Sequence, residues 1–134
     1  DEAVIEEFRR AAEYFARSTW SNCNRSAMTV MGKIYADPDL RAKVDEERVG
    51  YRDMLLERGR IFEKTLNDNG VKCVPFSAGF FVTVACDDPE EVCKKLEEQD
   101  IFCLALGKGI RISIASISKE KCVKCAEAIA ALLK

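Results

Sequence analysis

The sequence predicts a two-layer α/β sandwich: a small, mostly antiparallel sheet with helices on one face, preceded by long N-terminal helices. Three observations predict it. Apolar residues recur at helical spacing through residues 3–68. From residue 71 onward, short β-forming runs alternate with helical patterns. Gly107-Lys108-Gly109 joins two of those runs as the turn of an antiparallel hairpin. The chain of 134 residues fits a single domain, 1–134, with a real core.

The elements follow in order. Val4, Ile5, Phe8, Ala11, Ala12 and Phe15 line one side of a helix over residues 3–18. Small polar residues from Ser18 to Asn24 interrupt it, and Asn24 is placed to cap a second helix carrying Ala27, Met28, Met31, Ile34 and Tyr35. Asp37-Pro38-Asp39 ends that helix and opens a third, over about 39–68. Its apolar seam, Leu40, Val44, Tyr51, Leu55, Phe62 and Leu66, is narrow on an otherwise charged rod. At 1.5 Å per residue the rod spans roughly 45 Å, so part of it is expected to lie against something outside this chain. Gly70 supplies a left-handed terminus.

Strands are expected at 71–75, 80–85, 101–106 and 109–115. Asp88-Pro89 starts a helix with Val92 and Leu96 on its inner line. Ser118 caps a last helix with Val123, Ala126, Ile129, Ala130 and Leu133 inward.

In the segment from Gly109 to Ala115, Ile110, Ile112 and Ile114 fall on one strand face and Arg111, Ser113 and Ala115 on the other. A guanidinium midway along such a strand either faces water or meets an anion. Its rigid donor fork matches a carboxylate two-to-two. Arg17, at the end of the first helix, is a favourable charge for a helix C-terminus. Together the two arginines make a pair of candidate carboxylate clamps, suited to a dicarboxylate.

Composition narrows the function. A net charge of −2, with 21 basic and 23 acidic residues interspersed, gives no basic stripe for nucleic acid. No apolar run approaches membrane-spanning length and no signal-peptide pattern is read in these residues, so no membrane segment is expected. Seven irregularly spaced cysteines in a helix-rich chain fit a reduced, cytoplasmic setting. The absence of histidine removes Ser-His and Cys-His nucleophiles and every His metal site. Cys122-x-x-Cys125 sits in a helical pattern without a second pair, which argues against zinc and redox motifs alike. Lys119, in Ser116-Ile117-Ser118-Lys119, reads as an exposed lysine behind a helix cap rather than a catalytic amine. Gly107-x-Gly109 is too short for a phosphate loop.

Taken together, the motifs resemble a known family. Ala16-Arg17-Ser18-Thr19-Trp20-Ser21-Asn22 resembles the Arg-x-Thr-Trp-Ser-Asn segment of class I aminotransferases, the aspartate and aromatic aminotransferase group. Ala78-Gly79-Phe80-Phe81 is similar to that family's Gly-hydrophobic-Phe strand opening, and the Arg111 strand to its C-terminal Gly-Arg-hydrophobic-Asn strand. The ordered set covers nearly the whole chain. Two departures stand out: Cys23-Asn24 replaces the family's Pro-Pro, and Ser113 replaces its asparagine.

The resemblance implies the small, C-terminal domain of a pyridoxal-phosphate-dependent enzyme, which closes over substrate held on a large domain. It implies that Arg111 binds the substrate α-carboxylate and that Arg17 reaches across a homodimer to a side-chain carboxylate. Ser21 and Asn22 would lie near the partner's cofactor, and Phe81 would line the substrate side. The cofactor's lysine and phosphate loop belong to the large domain, N-terminal to this segment in the family. The chain begins at Asp1 and enters a helix directly. It is therefore expected to be a piece of a longer protein, inactive alone, with an exposed apolar strip on the helix at 3–18 or 39–68 where the large domain belongs. A self-contained amino-acid-binding module and a helix-mediated interaction domain remain the alternatives. An enclosed pocket around Arg111 would favour the module.

Overall fold

The computed structural model describes residues 1–22 and 24–133. Five α-helices and a three-stranded antiparallel sheet are present among them, in accord with the predicted class. The chain divides into two compact units, Asp1–Asp45 and Glu46–Lys134.

The first unit is helical. Helix α1, Glu2–Thr19, starts at Asp1, whose carboxylate accepts from the Ala3 amide at 3.0 Å. Helix α2, Arg25–Ala36, is capped by Asn24, whose side chain accepts from the Ser26 amide at 2.8 Å. Helix α3, Pro38–Asp68, begins in this unit; Asp37 caps it by accepting from the amides of Asp39 and Leu40 at 3.0 and 3.1 Å. Proline at its first position has no amide to leave unpaired. No residue of α1 or α2 is buried. Val4, Ile5, Phe8 and Phe15 form the exposed apolar strip expected of the first helix, with Phe8 77% exposed.

The second unit holds the core. Phe62 and Leu66, late in α3, are fully buried, whereas Leu40 and Tyr51 on the same seam are exposed. The helix ends in a Schellman turn: Gly70, at φ 81°, donates to Asn67 O, and the Val71 amide donates to Leu66 O at 3.0 Å.

That turn explains one departure from the sequence reading. The expected strand at 71–75 is a single bridge, Cys73 to Val84. The Val71 amide is committed to the helix end, and Pro75 has no amide to continue a ladder. Strand β1 runs Phe81–Ala85. Helix α4, Pro89–Glu97, is capped by Asp88 and closes with a second turn of the same kind. There Asp100 adopts φ 59°, and the Ile101 amide donates to Leu96 O at 3.0 Å. The strand expected at 101–106 is thereby shortened to β2, Leu104–Leu106. A two-residue turn, Gly107-Lys108, leads into β3, Gly109–Ser113.

Strand β3 is also shorter than expected. Beyond Ser113 the chain makes a 3₁₀ turn, Ile114–Ser116, before α5, Lys119–Leu132, capped by Ser118. Ile114 has left the ladder but remains fully buried.

The sheet order is β1-β3-β2, all antiparallel. Val82, Val84, Ile110 and Ile112 share its buried face. They pack with Phe62 and Leu66, with Val92, Cys93 and Leu96 of α4, and with Cys122, Ala126, Ile129 and Ala130 of α5. Cys93 and Cys122 therefore belong to the inward lines of α4 and α5, while Val123 and Leu133 are only half-buried. No described helix is long and apolar enough to cross a membrane.

Candidate carboxylate-binding site

Alternation along β3 decides where Arg111 points. Ile110 and Ile112 enter the core, so Arg111 stands on the opposite face. Its directly paired neighbours are Thr83 on β1 and Leu104 on β2. Phe81, two residues before Thr83, reaches diagonally to it, and the guanidinium carbon lies 4.5 Å from the ring centroid. Phe81 and Leu104 are each about half exposed. The Arg111 face is thus open and lined by apolar side chains, and no carboxylate pairs with Arg111 among the described residues. A desolvated anion site needs its cation held ready but unspent. A position over an aromatic ring does this, holding the guanidinium in place without using a carboxylate partner.

The strand is anchored from behind by a residue the sequence reading missed. Arg58 of α3 donates through Nη1 to Ala115 O at 3.1 Å and to Ile114 O at 3.4 Å. It takes the two carbonyls exposed where β3 gives way to the 3₁₀ turn. Its Nε is buried without a hydrogen-bond partner. Beside it, Glu57 pairs with Lys119 at the start of α5. The signal was available: Arg58 precedes Phe62 and Leu66 on the inward side of the same helix, an unusual place for a cation.

Arg17 lies in the first unit and is engaged locally. Its Nη1 donates to Ser21 O at 2.9 Å and to Ser21 Oγ at 3.2 Å. Ser21 is left-handed, at φ 61°, a strained conformation for a residue with a side chain. The arginine thus fastens the turn that leaves α1. The Asn22 amide donates to Trp20 O at 2.7 Å, tightening the same turn, and Trp20 is exposed. The structure therefore brings Arg17 to Ser21 in one unit, with Asn22 next along the same turn, and Arg111 to Phe81 in the other. Cys23, which stands with Asn24 where the resembling family has Pro-Pro, lies outside the described residues.

The described residues do not fit covalent attachment of pyridoxal phosphate. Such a bond needs an amine in a desolvated pocket, and every described lysine is exposed. What these residues can do is bind and orient a carboxylate.

Comparison with known proteins bears on the family and the fold. The profile of the aminotransferase class I and II family matches residues 3–129. An aminotransferase structure from Anaerococcus prevotii superposes over 99% of this chain and 32% of its own, with TM-score 0.92 and 28% identity. An aromatic aminotransferase from Pyrococcus horikoshii aligns over 75% of this chain and 29% of its own, with TM-score 0.53 and 25% identity. An aminotransferase from Eubacterium rectale, at 22% identity and TM-score 0.52, covers 60% of this chain and 22% of its own and shares the fold. No curated protein matches the chain. The chain spans about a third or less of the length of these solved structures. The match over residues 3–129 is nonetheless nearly the whole chain, which therefore belongs to the class I and II aminotransferase family.

Proposed function

We propose that these 134 residues form the substrate-closing small domain of a pyridoxal-phosphate-dependent aminotransferase. The parent would move an amino group between an amino acid and a 2-oxo acid, with aspartate, glutamate or an aromatic amino acid as donor. The observation that carries the reading is Arg111, held over Phe81 on an open, apolar-lined face with no carboxylate partner among the described residues.

On this reading Arg111 binds the α-carboxylate through paired N–H···O bonds, and Phe81 sets the plane of the guanidinium. Closing the open face against a second domain removes water and strengthens that ion pair. Arg17 would meet a side-chain carboxylate across a homodimer. Its Nη1 already holds Ser21, leaving Nε and Nη2 for that contact. Pyridoxal phosphate, supplied with the large domain, carries the electron-sink chemistry. A self-contained amino-acid-binding module would enclose Arg111; the half-exposed Phe81 and Leu104 beside it speak for an incomplete site.

The test is activity in two settings. The isolated 134-residue chain, given pyridoxal phosphate, aspartate and a 2-oxo acid, is expected to show no transamination and no tight aspartate binding. The same chain within its complete protein is expected to turn over. Tight binding of aspartate by the isolated chain would contradict the reading, as would a complete protein without transaminase activity.

A further inference from the structure

The cysteines contain a second feature, on the core side of the sheet and apart from Arg111. Cys93 lies on the buried line of α4, and Cys103 immediately precedes β2. They stand ten positions apart in sequence, yet their Sγ atoms are 3.2 Å apart. Both are free thiols. The Schellman turn at Asp100 reverses the chain and brings Cys103 back against α4. The turn at the end of α4 therefore brings the two cysteines together from different elements. A disulfide has its sulfurs about 2.05 Å apart, so closure needs a movement of roughly an ångström. Burial, and then the neighbouring Cys93 sulfur, push the Cys103 thiol up to about 12. Cys103 is thus held as a thiol near neutral pH and is not a constitutive nucleophile.

We propose that Cys93 and Cys103 form a built-in dithiol that closes to an intramolecular disulfide on exchange with a low-molecular-weight disulfide. One protein thiolate attacks a sulfur of the reagent disulfide and forms a mixed disulfide, releasing one reagent thiolate. The second cysteine, having lost its proton to solvent, attacks the protein sulfur of that mixed disulfide. The protein S–S bond forms and the second reagent thiolate leaves. Two cysteine thiols are oxidised, and one reagent disulfide is reduced to two thiols. The fold favours the second step over a persistent adduct, because the resolving sulfur is already in place. The bond would tie α4 to the residue before Leu104, which sits opposite Arg111 in the ladder. The redox state of the core side would then stiffen the edge strand beside the carboxylate site.

Cys86 lies close enough to both sulfurs to act on them electrostatically, which makes it the competing partner. Cys122 and Cys125 share α5 one turn apart and serve as an internal comparison.

The full chain is incubated to equilibrium with oxidised glutathione, denatured under thiol-blocking conditions, and mapped by mass spectrometry. Of its seven thiols, two are expected to be lost, in a peptide linking residues 93 and 103. The thermal midpoint is expected to rise by several degrees, and dithiothreitol to reverse both changes. Cys103→Ser is expected to abolish the link, and Cys93→Ala gives the same test from the other side. The wild-type thiol count stands even where a variant fails to fold. Retention of all seven thiols, a lasting glutathione adduct at either position, or a link through Cys86 or between Cys122 and Cys125 would each overturn the proposal.

Discussion

The guanidinium of Arg111 lies 4.5 Å from the centroid of the Phe81 ring, across the β1–β3 pairing and two residues off its directly opposed partner, Thr83. The contact is a product of register. A one-residue slip of β1 would send Phe81 into the core and leave the arginine without its platform. A cation over a ring at a partly exposed site contributes about 0.5–1 kcal/mol. Phe81→Leu keeps the apolar surface and removes the ring. In the complete protein it is expected to raise KM for the amino acid roughly two- to five-fold with little change in kcat. Steady-state kinetics checks it.

Arg58 is expected to matter for stability. Replacing it with Met removes the donor to Ile114 O and Ala115 O and leaves those carbonyls to find water. A cost of about 1–3 kcal/mol follows, read as a lower urea midpoint. The variant also removes the buried, unpaired Nε, which offsets part of that cost.

Gly109 opens β3 opposite Ala85, and its missing side chain is what lets β1 approach. A Cβ there would sit 2.6 Å from the Val84 carbonyl oxygen, a backbone atom that cannot step aside. Gly109→Ala is expected to destabilise the chain by about 1–3 kcal/mol. Gly59→Ala would drive its Cβ into the Phe76 ring, a side chain able to rotate, so the smaller loss is expected there. Paired thermal melts of the two variants test the ranking.

Alkaline pH is expected to weaken the fold. Burial raises the thiols of Cys73, Cys86, Cys103, Cys122 and Cys125 above their ordinary value near 9, Cys103 to about 12. Below 9 these groups are neutral in both folded and unfolded chains and give no pH dependence. Between 9 and about 12 the unfolded chain releases protons that the folded chain keeps, so stability falls as pH rises. Urea midpoints measured at neutral pH and near pH 10.5 should differ in that direction.

Much of this architecture is legible in the residues because local chemistry and global fold agree. Asp37-Pro38, Asp88-Pro89, Asn24 and Ser118 mark helix starts by capping chemistry, and each start falls there. The isoleucines of β3 assign Arg111 to the outer face. Strand lengths were less legible. Val71 and Ile101 look like strand residues, but their amides are claimed by Schellman turns, and Ile114 is buried from a 3₁₀ turn rather than from a strand. Arg58 and the Cys93–Cys103 pair are long-range juxtapositions, which spacing alone does not encode. The pairing of Arg17 with Ser21 is local but depends on a left-handed serine, which no residue in that segment announces.

Carboxylate recognition by Arg111 is the central claim, and one comparison tests it most directly. In the complete protein, Arg111→Met is assayed with an amino acid and with the corresponding amine that lacks the α-carboxylate. Loss of a charge-paired, desolvated contact of about 3–5 kcal/mol predicts a fall in kcat/KM for the amino acid of roughly two to four orders of magnitude. The carboxylate-free amine should react equally well with either enzyme. An equal loss for both compounds, or an amino acid left unaffected, would contradict the account.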